Sequence, residues 1–125
     1  MTLKDYLKII YDEEISQVNN YWFYPRIYCN DGFNISIQGG VGLYSKPNTK
    51  SVTYETMEIG FPSENDLLIN VDEEVKGFVP VSKIQNMIER HEGINIKMTL
   101  TNYINTKSYK LFMINTRLNK LKNLI

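Results

Sequence analysis

The chain has 125 residues, with 14 acidic side chains balanced by 14 basic ones, one cysteine and one histidine. That length suits a single domain whose core needs no covalent staple, and one cysteine excludes an internal disulfide, so a reducing, cytoplasmic setting is expected. The run MTLKDYLKIIYDEE breaks its apolar positions with charges and no stretch nears the ~20 apolar residues that span a bilayer, so a secretory leader and a membrane association are not expected.

The charges are unevenly placed: residues 1–94 carry a net −6 and residues 95–125 a net +6. At the start of the chain, Thr2 can accept from first-turn amides and Asp5 suits the positive end of a helix dipole. Leu3, Tyr6, Leu7, Ile10, Tyr11, Ile15 and Val18 recur at spacings of three and four, which predicts a helix over 2–18 stopped by Asn19-Asn20. YWFYPRIYC then predicts a strand, with Pro25 marking an edge or a bend because it cannot donate to a ladder. Asn30-Asp31-Gly32 predicts a hairpin. With Asp31-Gly32 as its two turn residues, Asn30 pairs with Phe33 and Cys29 with Asn34. Phe33, Ile35 and Ile37 alternate with Asn34, Ser36 and Gln38, the pattern of a strand with one wet face.

Gly39-Gly40-Val41-Gly42 predicts a bulge or a sharp bend. VTYETMEIGF predicts a strand with Met57, Ile59 and Phe61 on one side, LLINV a short strand or helical turn, and Asp72-Glu73-Glu74 a solvent loop. GFVPV predicts a short strand with an edge-type proline. Ser82 followed by Gln85 reads as a capping box, opening a helix over 83–92 with Ile84, Met87, Ile88 and His91 on one face and Gly93 as its left-handed cap. INIKMTLTNY alternates with period two and predicts a strand, followed by a final helix carrying Leu111, Ile114, Leu118, Leu121 and Ile125. The expected architecture is one α+β domain over 1–125: an antiparallel sheet of four to six strands with N-terminal, middle and C-terminal helices.

Few residues promise chemistry. Cys29 needs a base to act as a nucleophile, and His91 is the sole imidazole; a strand cysteine is more often an inert small hydrophobe, and His91 suits a helix C-terminus. One cysteine and one histidine cannot fill a zinc site without distant carboxylates, so no metal and no other cofactor is expected. The glycine cluster at 39–42 lacks a P-loop lysine and a following helix, which favours a bend over a phosphate cradle. The acid runs Asp12-Glu13-Glu14 and Asp72-Glu73-Glu74 can present spaced negative charge to a basic groove. Tyr21, Trp22 and Tyr24, with Arg26 nearby, can form a protein-binding hot spot. Lys110, Arg117, Lys120 and Lys122 can touch nucleic acid, neutralise the acidic body or leave a solvated basic face.

The blocks YPRIYCNDGFNISIQ, YETMEIGFPSE and VKGFVPVSKIQNMIERHEGI resemble a family of short phage and mobile-element proteins with patterns like CxDGFxxSVQ, YxxVEVGFPS and YVPVxxVxxxIxxHGGI. The resemblance covers residues 24–94; Glu92 departs from the first glycine of HGGI, and both ends of the chain lie outside it. It implies a bacterial host cell and a non-enzymatic protein that binds a host protein or ribonucleoprotein complex. An anti-CRISPR-type inhibitor of a defence nuclease, acting by occlusion, is the leading expectation. A nucleotide or small-ligand binder built around Gly39, Gly40 and Arg26 is the alternative, with a nucleic-acid binder using the basic C-terminal segment as a third. Homo-oligomerisation stays open.

Overall fold

A computed structural model describes residues 1–12 and 24–105, together with the backbone at 17–18 and 21–22. The predicted final helix, with Lys110, Arg117, Lys120 and Lys122, lies outside the described residues, as do Glu13 and Glu14. The described elements are α1 (Leu3–Asp12), β1 (Gln17–Val18), β2 (Tyr21–Trp22), β3 (Ile27–Tyr28), β4 (Asn34–Gln38), β5 (Thr56–Gly60), β6 (Val75–Pro80), α2 (Val81–Arg90) and α3 (Ile96–Ile104). β3 to β6 form a four-stranded antiparallel meander in chain order, and β1 pairs with β2 separately. The α+β class is as expected from the sequence.

One buried cluster joins the sheet to all three helices. Leu3, Tyr6, Leu7 and Ile10 of α1, Ile84, Met87 and Ile88 of α2, and Leu100 and Tyr103 of α3 pack with Ile35, Ile37, Met57, Ile59 and Val79 of the sheet. Each fully buried aliphatic side chain of this kind contributes roughly 1.5–3 kcal/mol before entropy is charged against it. Asn34, Ser36 and Gln38 stay half-exposed, so the wet face of β4 is where the alternation put it.

Five expectations are corrected. The first helix spans only Leu3–Asp12, and Gln17–Val18 is a strand, because its backbone groups pair with Tyr21–Trp22. The Thr2 cap is present: its hydroxyl accepts from the Asp5 amide at 3.2 Å.

The hairpin is offset by one residue. Tyr28 faces Asn34, the Cys29 amide donates to Phe33 O, and Gly32 N donates to Cys29 O, leaving a three-residue loop. Gly32 takes φ +95°, the left-handed position that closes such a loop. The Asp31 carboxylate accepts from the Phe33 amide at 2.9 Å and fixes this turn in place of the two-residue one.

Ser82 and Gln85 do not form a capping box. The helix begins two residues earlier, at Val81 after Pro80, with no side-chain cap, and Gln85 Oε1 instead accepts from Leu3 N, tying α2 to the start of α1. Its C-terminal end is as expected: the Gly93 amide, at φ +86°, donates to Ile88 O.

The predicted strand at 94–103 is α3. Ile96, Leu100, Tyr103 and Ile104 also fit a helical stripe, and a local cap together with two bonds to distant Tyr28 decides between the periods. Asn95 caps the helix by accepting from Met98 N, and Thr99 Oγ1 accepts from Tyr28 N while Asn95 N donates to Tyr28 O. The free edge of β3 is thereby covered by a helix rather than by another strand. Finally, Phe61 does not continue the inner face of β5: the strand ends at Gly60, and Phe61 turns outward.

Candidate functional site

Burial works against a nucleophilic Cys29. Cys29 is wholly buried and bridged to Ile94, and burial, reinforced by the nearby Asp31 charge, pushes its thiol up to about 12. Native protein at pH 8 is expected to resist iodoacetamide until it unfolds. Rapid stoichiometric alkylation of the folded chain would contradict this burial.

His91 sits just past α2, on the face the helical spacing assigned it. Its ring stacks on Phe33 with centroids 3.8 Å apart and planes 8° from parallel. Nδ1 lies 2.7 Å from Asp31 Oδ2 and Nε2 lies 2.8 Å from Asp66 Oδ2. The Asp66 side chain is only 4% exposed, and its other oxygen accepts from Arg90 Nη2 at 2.6 Å and from Leu68 N at 2.9 Å. The ring thus clasps the β3–β4 turn and the 61–70 loop to the end of α2. Cys29, Gly32 and Gly93 lie at the same junction, where Gly32 N donates to Cys29 O and Asn30 N donates to Gly93 O.

Burial alone would lower the His91 pKa, but the bonds to Asp31 and Asp66 outweigh it and the net shift is upward from 6.5. Burial likewise works to raise both carboxylates. The Phe33 amide and His91 pull Asp31 below 3.8 instead, and Arg90, the Leu68 amide and His91 do the same for Asp66. A raised histidine stabilises the fold fully below its unfolded value and loses that contribution as pH rises through the folded value; a lowered carboxylate does so above its unfolded value and loses it as pH falls. The clasp therefore contributes most between pH 3.8 and 6.5. Urea unfolding in a chelating buffer should show stability declining from pH 6 to pH 9, with His91→Gln removing that slope. An unchanged slope in the variant would sever it from the imidazole.

The expected partner-binding residues do not gather in one place. Tyr24 is buried at 4% exposure with its hydroxyl 2.7 Å from that of Tyr54, so it belongs to the core. Arg26 donates to Asn34 Oδ1, to Asn34 O and to the Phe61 carbonyl, while Gly40 N donates to Ser45 Oγ. Asp12 closes α1 beside Lys8, 3.1 Å away. The side chains of Tyr21 and Trp22 lie outside the described residues. Of the 72–74 run, Asp72 and Glu74 are exposed, while Glu73 is partly covered and lies 3.7 Å from Lys76 Nζ.

Two phenylalanines stand out: Phe61, which the alternation had placed with Met57 and Ile59, and Phe78, to which the sequence assigned no role. Phe61 is 56% exposed at φ +54° and Phe78 is 58% exposed at φ +52°. A non-glycine residue in that region costs about 1–2 kcal/mol, so surrounding bonds must hold it there. Phe61 is held on both sides: its amide donates to Glu74 O, and its carbonyl accepts from Arg26.

Phe78 occupies a bulge, since Met57 pairs with Val79 and Ile59 with Lys76, which leaves Gly77 and Phe78 opposite Glu58. Its amide donates to Tyr44 O at 2.9 Å, the two rings lie 5.8 Å apart, and the Tyr44 amide donates to Glu58 Oε2. Each phenylalanine follows a glycine required by close approach: a Cβ at Gly60 would meet Glu74 O at 2.6 Å, and one at Gly77 would meet Tyr44 Cβ at 2.7 Å. Tyr44, Val71 and Val75 are also exposed. Several large apolar side chains are thus exposed around the β5–β6 pair, and the Phe61 amide bonds to Glu74 of the acidic run. Gly-Phe occurs at 32–33, 60–61 and 77–78, and since Phe33 is buried the dipeptide by itself does not mark the exposed rings.

No protein-family model, curated protein or solved structure matches the chain. Among the described residues, no helix is long and apolar enough to cross a membrane.

Proposed function

We propose that this chain is a non-enzymatic binding protein that docks a basic protein surface through the exposed rings of Phe61 and Phe78 and the acidic run at 72–74. The observation that carries this reading is the pair of exposed aromatic rings on left-handed backbone. A surface phenylalanine contributes little to folding, and at these φ angles it opposes folding, so its presence is accounted for by contacts it makes outside the chain. Asp72 and Glu74 add charge complementarity to a cationic partner, which speeds encounter and sets orientation.

The partner class follows from the resemblance to short phage proteins: a bacterial defence nuclease, such as a CRISPR effector, whose nucleic-acid groove is basic and open to occlusion. The buried thiol supports the non-catalytic reading, since burial keeps it protonated and away from a substrate. Expression of the chain in cells carrying such a nuclease should relieve restriction of an infecting phage, and affinity purification should recover the nuclease with the wild-type chain. A Phe61→Gly/Phe78→Gly chain should do neither. Unrelieved restriction together with no recovered defence component would overturn the proposal.

A further inference from the structure

We propose that Asp31, Glu64 and His91 form a binding site for a divalent transition-metal ion, with Asp66 orienting the imidazole from behind. One donor atom from each of the three side chains lies within 4.8 Å of the other two. They come from the β3–β4 turn, the 61–70 loop and the end of α2, so the distant carboxylates that sequence spacing could not supply are brought to the only histidine by the fold.

Three features favour an ion over a purely hydrogen-bonded cluster. First, the arrangement behind the ring matches what a metal-ligating histidine needs. With Nδ1 as ligand, Nε2–H donates to Asp66, and Asp66 is held in turn by Arg90 and the Leu68 amide. A carboxylate in that position fixes the tautomer and raises ligand basicity. Stacking on Phe33 fixes the plane of the ring as well.

Second, the clasp explains Asp31 and Asp66 but leaves Glu64 over. Glu64 is exposed and has no hydrogen bond or ion pair among the described residues. Third, the carboxylates Asp31, Glu64 and Asp66 gather where Arg90 and the imidazole are the bonded partners and the Met1 ammonium lies beside Gly93, so negative charge is in excess when the ring is neutral. A dication corrects that excess.

One imidazole nitrogen with two carboxylate oxygens suits Zn²⁺ or Mn²⁺ better than an all-oxygen Ca²⁺ or a thiolate metal. Donors of this kind sit about 2.0–2.2 Å from zinc, so the ion takes the place of the hydrogen bond between Nδ1 and Asp31, any proton on Nδ1 leaving to solvent, and the Glu64 carboxylate turns toward it. Three protein ligands leave coordination positions for water or for a side chain of a partner.

The test uses chelator-stripped full-length protein titrated with ZnCl₂ or MnCl₂ by calorimetry, with thermal shift in parallel. The expected result is binding of one ion per chain and a Tm that rises with ion concentration. Glu64→Gln should weaken affinity at least tenfold while leaving the metal-free Tm unchanged, because Glu64 holds nothing in the fold. Asp72→Asn should leave affinity as it is. Absence of saturable binding of either ion up to about 1 mM would overturn the site. So would binding that is indifferent to Glu64→Gln, which would place the ion elsewhere.

Discussion

Asp66→Asn should lower the stability of the fold by about 2–3 kcal/mol at pH 6, a fall in Tm of about 10 °C. The carboxylate is almost fully buried, and its oxygens accept from Arg90, His91 and the Leu68 amide. An asparagine of the same shape keeps one acceptor oxygen and replaces the other with an NH₂ group, which sets a donor against an arginine or histidine N–H. Breaking a buried pair by removing one partner costs about 3–5 kcal/mol; the Arg90 side chain is 35% exposed and can recover hydration, so the cost here falls at or below the bottom of that range. Asp72→Asn, at an exposed loop position, should stay within about 0.5 kcal/mol. Equal midpoints for the two variants in urea would show that the clasp adds nothing.

Phe61→Gly and Phe78→Gly should have effects of opposite kind on folding and on binding. Removing a core phenylalanine costs about 3–5 kcal/mol, but these rings are exposed and their backbones left-handed. Glycine relieves about 1–2 kcal/mol of strain at φ near +50° and gives back about 0.5–1 kcal/mol through the greater freedom of its unfolded chain. Each variant should therefore match or slightly exceed the parent in urea. Phe61→Ala, which removes the ring but retains the strain, should be less stable than Phe61→Gly.

Partner affinity should move the other way. An aromatic hot spot contributes about 2 kcal/mol or more, so each substitution should weaken binding roughly 30-fold. If Phe61→Gly destabilises the fold as a core substitution does, the ring is structural and the docking surface loses its main support. The two measurements together separate a surface built for a partner from an incidental exposed patch.

Much of the architecture could be read locally. The stripe Leu3, Tyr6, Leu7, Ile10, the alternation of Phe33, Ile35 and Ile37, the helix of Ile84, Met87 and Ile88, and the glycine cap at 93 each depend on neighbours within a few residues, and each is present. So the α+β class and the order of most elements were properties of the sequence by itself. Tertiary structure decided what local pattern left degenerate. Residues 94–103 satisfy both a period of two and a helical stripe, and Tyr28, about 70 positions away, favours the helix through Thr99 and Asn95. A Ser-x-x-Gln signature was redirected because Gln85 found the amide of Leu3. The histidine clasp, the Glu64 placement and the strained phenylalanines were invisible for the same reason. They depend on which groups far apart in the chain come within 3 Å, and short-range periodicity carries no information about that distance.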